Sequence, residues 1–131
     1  MRVLVTGGRF NTRRDVIYAA LDEYHEEHTV DVIIHGAAAG VDVLCGEWAE
    51  HNGIPVQVYP ITEEDWYLHG RSAGPKRNQK MLDDGDPDIL IAFLGGNGTK
   101  DMVARAKRAN LEIWEPHKDK INEPTLPERD A

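Results

Sequence analysis

The chain has 131 residues, of which 40% are apolar and 29% are charged, a balance typical of a single folded domain and unlike that of a disordered chain. Its formal net charge of −8 argues against binding along a nucleic-acid backbone, and no apolar run approaches the roughly 20 residues of a membrane helix. The single cysteine, Cys45, excludes an internal disulfide and lies on an apolar helix face, which predicts a core position. We therefore expect a cytoplasmic protein with no membrane contact.

Short runs rich in Val and Ile recur along the chain and predict five strands. Three of these runs are almost wholly apolar, as strands covered on both faces are. The predicted strands are residues 2–6, 32–34, 56–59, 89–93 and 111–114.

Apolar residues that recur at helical spacing predict four helices between these strands. Thr12 is expected to cap the first helix, with Asp15 three residues later as in a capping box. Gly53 and Asn110 are expected to end the second and fourth helices, and Pro75 to occupy the first position of the third.

The alternation of strands and helices predicts an α/β fold over residues 1–116. We expect a Rossmann-like, doubly wound domain whose five-stranded sheet is mostly parallel, with helices on both faces. The stretch 60–73 is predicted to be a long polar loop, and the polar residues 117–131, which contain two prolines, a flexible tail.

Glycine-rich segments follow the first, second and fourth predicted strands, at residues 6–10, 35–42 and 95–99. In such sheets, ligands bind beyond the carboxyl ends of the strands, where the strand order reverses. Glycines let a backbone approach a ligand closely, and the helix N-termini that follow favour an anion. Residues 1–14 add four arginines and no acid. The pattern predicts a site for a small anionic ligand, and the alternative that these glycines only form tight turns stays open.

The candidate ligand-binding residues lie in these segments, in the loop at 60–73 and at the start of the third predicted helix. They are Thr6, Gly7, Gly8, Arg9, Phe10, His35, Gly36, Gly40, Asp42, Trp66, Gly70, Gly74, Arg77, Asn78, Gly95, Gly96, Gly98 and Thr99.

Several of these residues have a structural alternative to ligand binding. Arg77 is a candidate phosphate clamp or the partner of a nearby acid, and Arg9 a ligand contact or a solvated loop arginine. Asp42 is a candidate for a ribose hydroxyl or a helix-dipole partner. Thr99 is a candidate phosphate donor, a helix cap, or both.

The aromatic and histidine candidates are similarly ambiguous. Trp66 is a candidate to stack on a base or to cover the sheet edge. His35 is predicted first of all to be a histidine at the end of a strand whose hydrogen bonds are made within the protein. His69 is the more exposed candidate for acid–base chemistry.

The histidines form no HExxH cluster, so the sequence predicts no protein-bound metal, although Mg²⁺ carried by a phosphate ligand stays open. No loop matches GxGxxG or GxxxxGK[ST], which disfavours nicotinamide cofactors and P-loop chemistry.

Five motifs in order carry a family resemblance over about residues 1–115: VTGGRF, HGAAAGVD, the segment from Trp66 through His69-Gly70 to Gly74-Pro75, RNQKM and FLGGNGTKDMV. Together they resemble the SLOG superfamily of Rossmann-like proteins, which includes the lonely-guy phosphoribohydrolases and the DNA-processing protein Smf. Within it, the chain looks most like the small YspA-like family of bacteria and their phages. The resemblance implies binding of a nucleotide or an ADP-ribose-like molecule by a sensor or sequestering protein.

The resemblance leaves two other functions open. Phosphoribohydrolase relatives carry PGGxGTxxE, whose Glu helps to cleave the bond between base and ribose. Here Leu94 replaces the Pro and Met102 the Glu, so a nucleotide N-glycosidase would need Asp101 or His69 instead. We therefore expect a binding protein rather than an enzyme. An accessory role in nucleic-acid processing, by analogy with Smf, is disfavoured by the negative charge, and a homo-oligomer is an open alternative.

Overall fold

Five parallel strands form the centre of the fold, in a computed structural model that describes residues 1–121. The sheet order is β3-β2-β1-β4-β5, and all four strand pairs are parallel. The strand order therefore reverses between β1 and β4. The strands are β1 (Arg2–Thr6), β2 (Val32–His35), β3 (Val56–Val58), β4 (Ile89–Ala92) and β5 (Glu112–Trp114).

Helices cover both faces of this sheet. Alternate residues of β1 divide the core: Val3 and Val5 pack with residues of α1 and α2, whereas Leu4 packs with residues of α4 and α5. All residues of β2 and β4 are buried, as both faces of these strands are covered. The predicted Rossmann-like, doubly wound fold is thus confirmed. The helices are α1 (Arg14–His28), α2 (Val41–His51), α3 (Glu63–His69), α4 (Ala73–Gly85), α5 (Asn97–Arg108) and α6 (Pro116–Ile121).

Two predicted helix starts are wrong. The N-cap of α1 is Arg13, which makes no side-chain cap bond, and Asp15 pairs with Arg13 at 3.3 Å instead of completing a box with Thr12. Pro75 is the third residue of α4 rather than the first. The helix begins two residues earlier, at Ala73, which is buried.

The predicted loop at 60–73 contains α3. Thr62 caps it in a capping box: its hydroxyl accepts the N–H of Asp65, and the Asp65 carboxylate accepts the N–H of Thr62, both at 3.0 Å. No residue of α3 is buried, so the helix has no apolar face for a periodicity argument to detect. A short 3₁₀ turn, Gly70–Ser72, then leads into α4.

The C-terminal region also differs from the prediction. The helix α6 occupies the beginning of the segment 117–131 that is predicted to be a tail. Residues 122–131 lie outside the described residues. Over the part of the chain that is described, none of the helices has the length and apolar character that crossing a membrane requires.

Candidate functional site

A cleft of about 630 Å³ opens at the carboxyl ends of β1 and β4, where the strand order reverses. Twelve of the predicted residues line it: Thr6, Gly7, Gly8, Arg9, Phe10, Asp42, Arg77, Asn78, Gly95, Gly96, Gly98 and Thr99. Sequence reasoning missed six further lining residues, several of them immediate neighbours of predicted ones: Val5, Asn11, Ala38, Met81, Leu94 and Asn97.

Some of the glycines are required because the loops touch each other. The N–H of Gly8 donates to the carbonyl of Leu94 at 2.8 Å, which joins the loop after β1 to the loop after β4. A Cβ on Gly95 would lie 2.6 Å from the nitrogen of Gly8 and 2.9 Å from the carbonyl carbon of Gly7. Gly40 has a φ of 76°, and a Cβ there would overlap the carbonyl oxygen of Gly8. Loop packing alone accounts for these glycines.

Two other glycines of the cleft have no such packing role. A Cβ on Gly96 or Gly98 would meet no atom of the described part of the chain within 4 Å. Here α5 begins, and the N–H groups of Asn97, Gly98 and Thr99 have no hydrogen-bond partner within residues 1–121. Empty space and free donors therefore coincide at the positive end of a helix dipole.

Thr99 does not cap this helix, so that alternative is wrong. The N-cap of α5 is Gly96, which receives no side-chain cap bond. Thr99 is the third helical residue, and its hydroxyl packs against Gly95. It lines the cleft.

Arg77 forms part of the cleft wall and is held there by the protein. Its Nη1 donates to the carbonyls of Gly36 and of Tyr59, the latter at 3.3 Å, and its Nε donates to Asn78 Oδ1 at 3.2 Å. A Cβ on Gly36 would overlap the guanidinium, which would then have to move from this position. Burial lowers the pKa of Arg77, against the attraction of Asp42. Within residues 1–118, no acid forms an ion pair with Arg77, so the predicted pairing alternative is wrong.

Asp42 is a buried carboxylate in the first turn of α2. A single oxygen, Oδ2, accepts the N–H groups of Gly36 and Ala38, each at 3.1 Å, which fixes the loop after β2. Burial raises the pKa of Asp42 to about 6, although these hydrogen bonds and the Arg77 charge act in the opposite direction. The group is therefore close to titration near neutral pH.

His35 lies outside the cleft and has a structural environment. Its Nδ1 accepts the N–H of Ala37 at 2.9 Å, and its Nε2 lies 3.0 Å from where a Cβ on Gly46 would be. Burial lowers the pKa of His35, and the charge of Arg77 lowers it further. The ring is therefore neutral at neutral pH.

Five other predicted residues also lie outside the cleft. Gly36 and Gly40 position its walls, as described above. Trp66 is half exposed on α3, Gly70 ends that helix, and Gly74 lies in the first turn of α4 with open space around it.

Neither of the two candidates for acid–base chemistry, Asp101 on α5 and His69 on α3, lines the cleft. Asp101 accepts hydrogen bonds from Asn78 and Arg105, each at 2.9 Å. Burial alone would raise the pKa of Asp101, but these bonds outweigh burial and hold it below its ordinary value. Met102, at the position of the family glutamate, is fully buried in the core. His69 lines a separate cavity of about 570 Å³ between α3 and α4.

The rim of the cleft is apolar and exposed. Phe10 is 89% exposed and Leu94 60% exposed, and both line the opening. Arg9 beside them is exposed and makes no hydrogen bond or ion pair within the described residues. Those residues contain no cluster of three or more His, Cys, Asp or Glu side chains suited to a metal ion.

The sheet order and the position of the cleft define a Rossmann-like α/β protein. A model of the YspA, cpYpsA-related SLOG family matches residues 1–69. The "Gene 61 protein" of Mycobacterium phage D29 is 34% identical over 119 residues, which cover 86% of this chain and 93% of that protein. The chain belongs to the YspA-related SLOG family. Membership fits a nucleotide-related role in general, and no solved structure matches the chain.

Proposed function

We propose that this protein binds a small anionic molecule derived from a nucleotide, with ADP-ribose as the representative probe, in the cleft between β1 and β4. The observation that carries the proposal is the start of α5. There, three N–H groups without partners face space that Gly96 and Gly98 leave open. A phosphate would satisfy these donors and complement the helix dipole.

The rest of the cleft supports a ligand with both charged and apolar parts. Arg9 supplies a cation that no described acid neutralises, and the exposed Phe10 and Leu94 offer an apolar surface for a base. The cleft volume of about 630 Å³ lies within the usual range of small-molecule sites. Each part of a nucleotide-derived ligand thus has a complementary group.

Binding without turnover fits these residues better than hydrolysis does. The Asp101 carboxylate is already held by Arg105 and Asn78, and Met102 cannot replace a glutamate. His69 lines a different cavity. The protein would then act as a sensor or sequestering protein, and its net charge of −8 argues against nucleic acid as the ligand.

A thermal-shift screen tests the proposal with ADP-ribose, NAD, AMP and ribose 5-phosphate, each with and without Mg²⁺. ADP-ribose at one hundred times its dissociation constant should add about 2.7 kcal/mol of stability, a shift of several degrees. Chromatography of the same samples should recover intact ligand. Release of a free base would instead identify an N-glycosidase.

Two matched glycine variants test whether the ligand binds in this cleft. Gly98→Ala adds a methyl group to the cleft, whereas Gly74→Ala adds one to open space outside it. Calorimetry should show weaker ADP-ribose binding for the first and unchanged binding for the second. If no compound of the panel shifts the melting temperature, or if Gly98→Ala binds as the parent does, the proposal fails.

A further inference from the structure

An acidic, aromatic pocket lies at the opposite edge of the sheet from the cleft. It has a volume of about 250 Å³ and is formed where α1 meets the first residue of β4 and the first and last residues of β5. Its charged and aromatic walls are Glu23, Tyr24, Glu27, His28, Glu112 and Trp114. None of these residues takes part in the cleft.

Tyr24 is the feature that packing does not explain. Its side chain is 6% exposed, yet its buried hydroxyl has no hydrogen-bond partner within the described residues. Burial raises the pKa of Tyr24, and the carboxylates of Glu112 and Asp88 raise it further, so the hydroxyl lies within their electrostatic reach. A buried hydroxyl without a partner lowers stability unless something else satisfies it.

The charge of the pocket is not balanced. Three carboxylates, those of Glu23, Glu27 and Glu112, line it, and within residues 1–118 no Lys or Arg pairs with any of them. Among residues 1–118, Glu27 forms an ion pair with His28 alone, at 3.7 Å. This concentration of negative charge favours a cation.

The aromatic walls specify what kind of cation. The rings of Tyr24 and Trp114 are nearly parallel, at 28° with centroids 6.2 Å apart, and the ring of His28 lies 4.6 Å from that of Tyr24. Aromatic faces attract weakly hydrated organic cations, particularly guanidinium groups. A small metal ion would gain little from such walls.

We propose that this pocket binds the guanidinium or ammonium group of an organic cation. The carboxylates pair with the charge, the aromatic rings contact its faces, and the Tyr24 hydroxyl accepts one of its N–H groups. The site is independent of the nucleotide-derived ligand proposed for the cleft.

An NMR titration with agmatine, which carries both a guanidinium and an ammonium group, tests the proposal. Millimolar agmatine should shift the Trp114 indole signal saturably and leave the signals of Gly96 and Gly98 unchanged. Glu112→Gln should weaken binding about fivefold. Glu26→Gln is the matched control, since Glu26 is exposed on the same helix outside the pocket and loses the same charge.

Tyr24→Phe separates a binding role from a structural one. The free variant should melt at the same temperature as the parent or higher, because it loses a buried hydroxyl without a partner. It should nevertheless bind agmatine more weakly. If Tyr24→Phe binds agmatine as tightly as the parent does, the hydroxyl does not contact the cation, which contradicts this part of the proposal.

A comparison with N-acetylarginine amide distinguishes the sources of the cation. Equal binding of both probes would show that an arginine side chain suffices, and tighter binding of agmatine would favour a free amine. The absence of a saturable shift with either probe would overturn the proposal. Equal weakening in Glu112→Gln and Glu26→Gln would also overturn it, since that result reflects net charge alone.

Discussion

Replacing Asp42 by Asn tests the buried carboxyl in the wall of the cleft. Both of its hydrogen bonds, from Gly36 and Ala38, end on a single oxygen. The amide oxygen of Asn can accept both, so the loop after β2 should keep its conformation. The substitution then removes little besides the ionisation.

The magnitude follows from the pKa of Asp42, which is about 6 in the folded protein against an ordinary value of 3.8. The folded chain therefore holds this proton more tightly than the unfolded chain does. The resulting stability is present below pH 4 and is lost as the pH rises to about 6, because the buried group must then ionise. The difference between the two pKa values corresponds to about 3 kcal/mol.

Urea unfolding of the parent and of Asp42→Asn between pH 4 and pH 7 measures this effect. The free energy of unfolding of the variant, minus that of the parent, should rise by about 2 kcal/mol across this range, since part of the full difference is already lost below pH 4. Other titrating groups are common to both proteins and cancel. A difference that stays constant with pH would refute the assigned pKa and its cause.

The ionisation of Asp42 should also affect how tightly the proposed ligand binds. ADP-ribose is a suitable probe because it has no phosphate monoester that titrates near pH 6. The parent should bind it more tightly at pH 5 than at pH 7.5, since protonated Asp42 no longer repels an anion. Asp42→Asn should lack this dependence.

Three further predictions concern the walls and rim of the cleft. Gly98→Ala and Gly74→Ala should each raise the free energy of unfolding, measured in urea, by up to about 1 kcal/mol, because both glycines are helical with open space around them. Only Gly98→Ala should weaken ADP-ribose binding. Phe10→Ala should leave stability within about 0.5 kcal/mol, yet weaken ADP-ribose about tenfold in calorimetry and leave ribose 5-phosphate unaffected, since the latter has no base to stack. Gly36→Ala should cost on the order of 2 kcal/mol by displacing the Arg77 guanidinium. In a double-mutant cycle, the variant that carries both Gly36→Ala and Arg77→Ala should lose less stability than the sum of the two single losses, and full additivity would contradict the contact.

The sequence predicted the sheet and the place of the cleft because both follow from local patterns. Short β-branched runs predicted all five strands, and the rule for parallel sheets placed the loops of Gly7 and Gly95 at one edge. The helix α3 could not be found from apolar periodicity because it buries no face. The T-x-x-D spacing of Thr62 and Asp65 was the one signal for it.

The roles of individual residues depended on contacts between distant segments. Arg77 is adjacent to Gly36 only in the folded chain, so its sequence context could not show that backbone carbonyls hold its guanidinium. The glycines of the loops illustrate the same limit. Gly95 is needed for packing against Gly8, whereas Gly96, its neighbour, has open space, and both match the family motif equally well.

The most direct test of the account is a two-dimensional NMR titration of the protein with ADP-ribose, followed through the backbone N–H signals. The account predicts saturable shifts that are largest at Gly96, Gly98 and Thr99, where the free donors of α5 face the cleft, together with shifts at Arg9. The ligand should remain intact throughout. Saturable shifts confined to another surface, such as the cavity lined by His69, or no shifts at millimolar ADP-ribose, would contradict it.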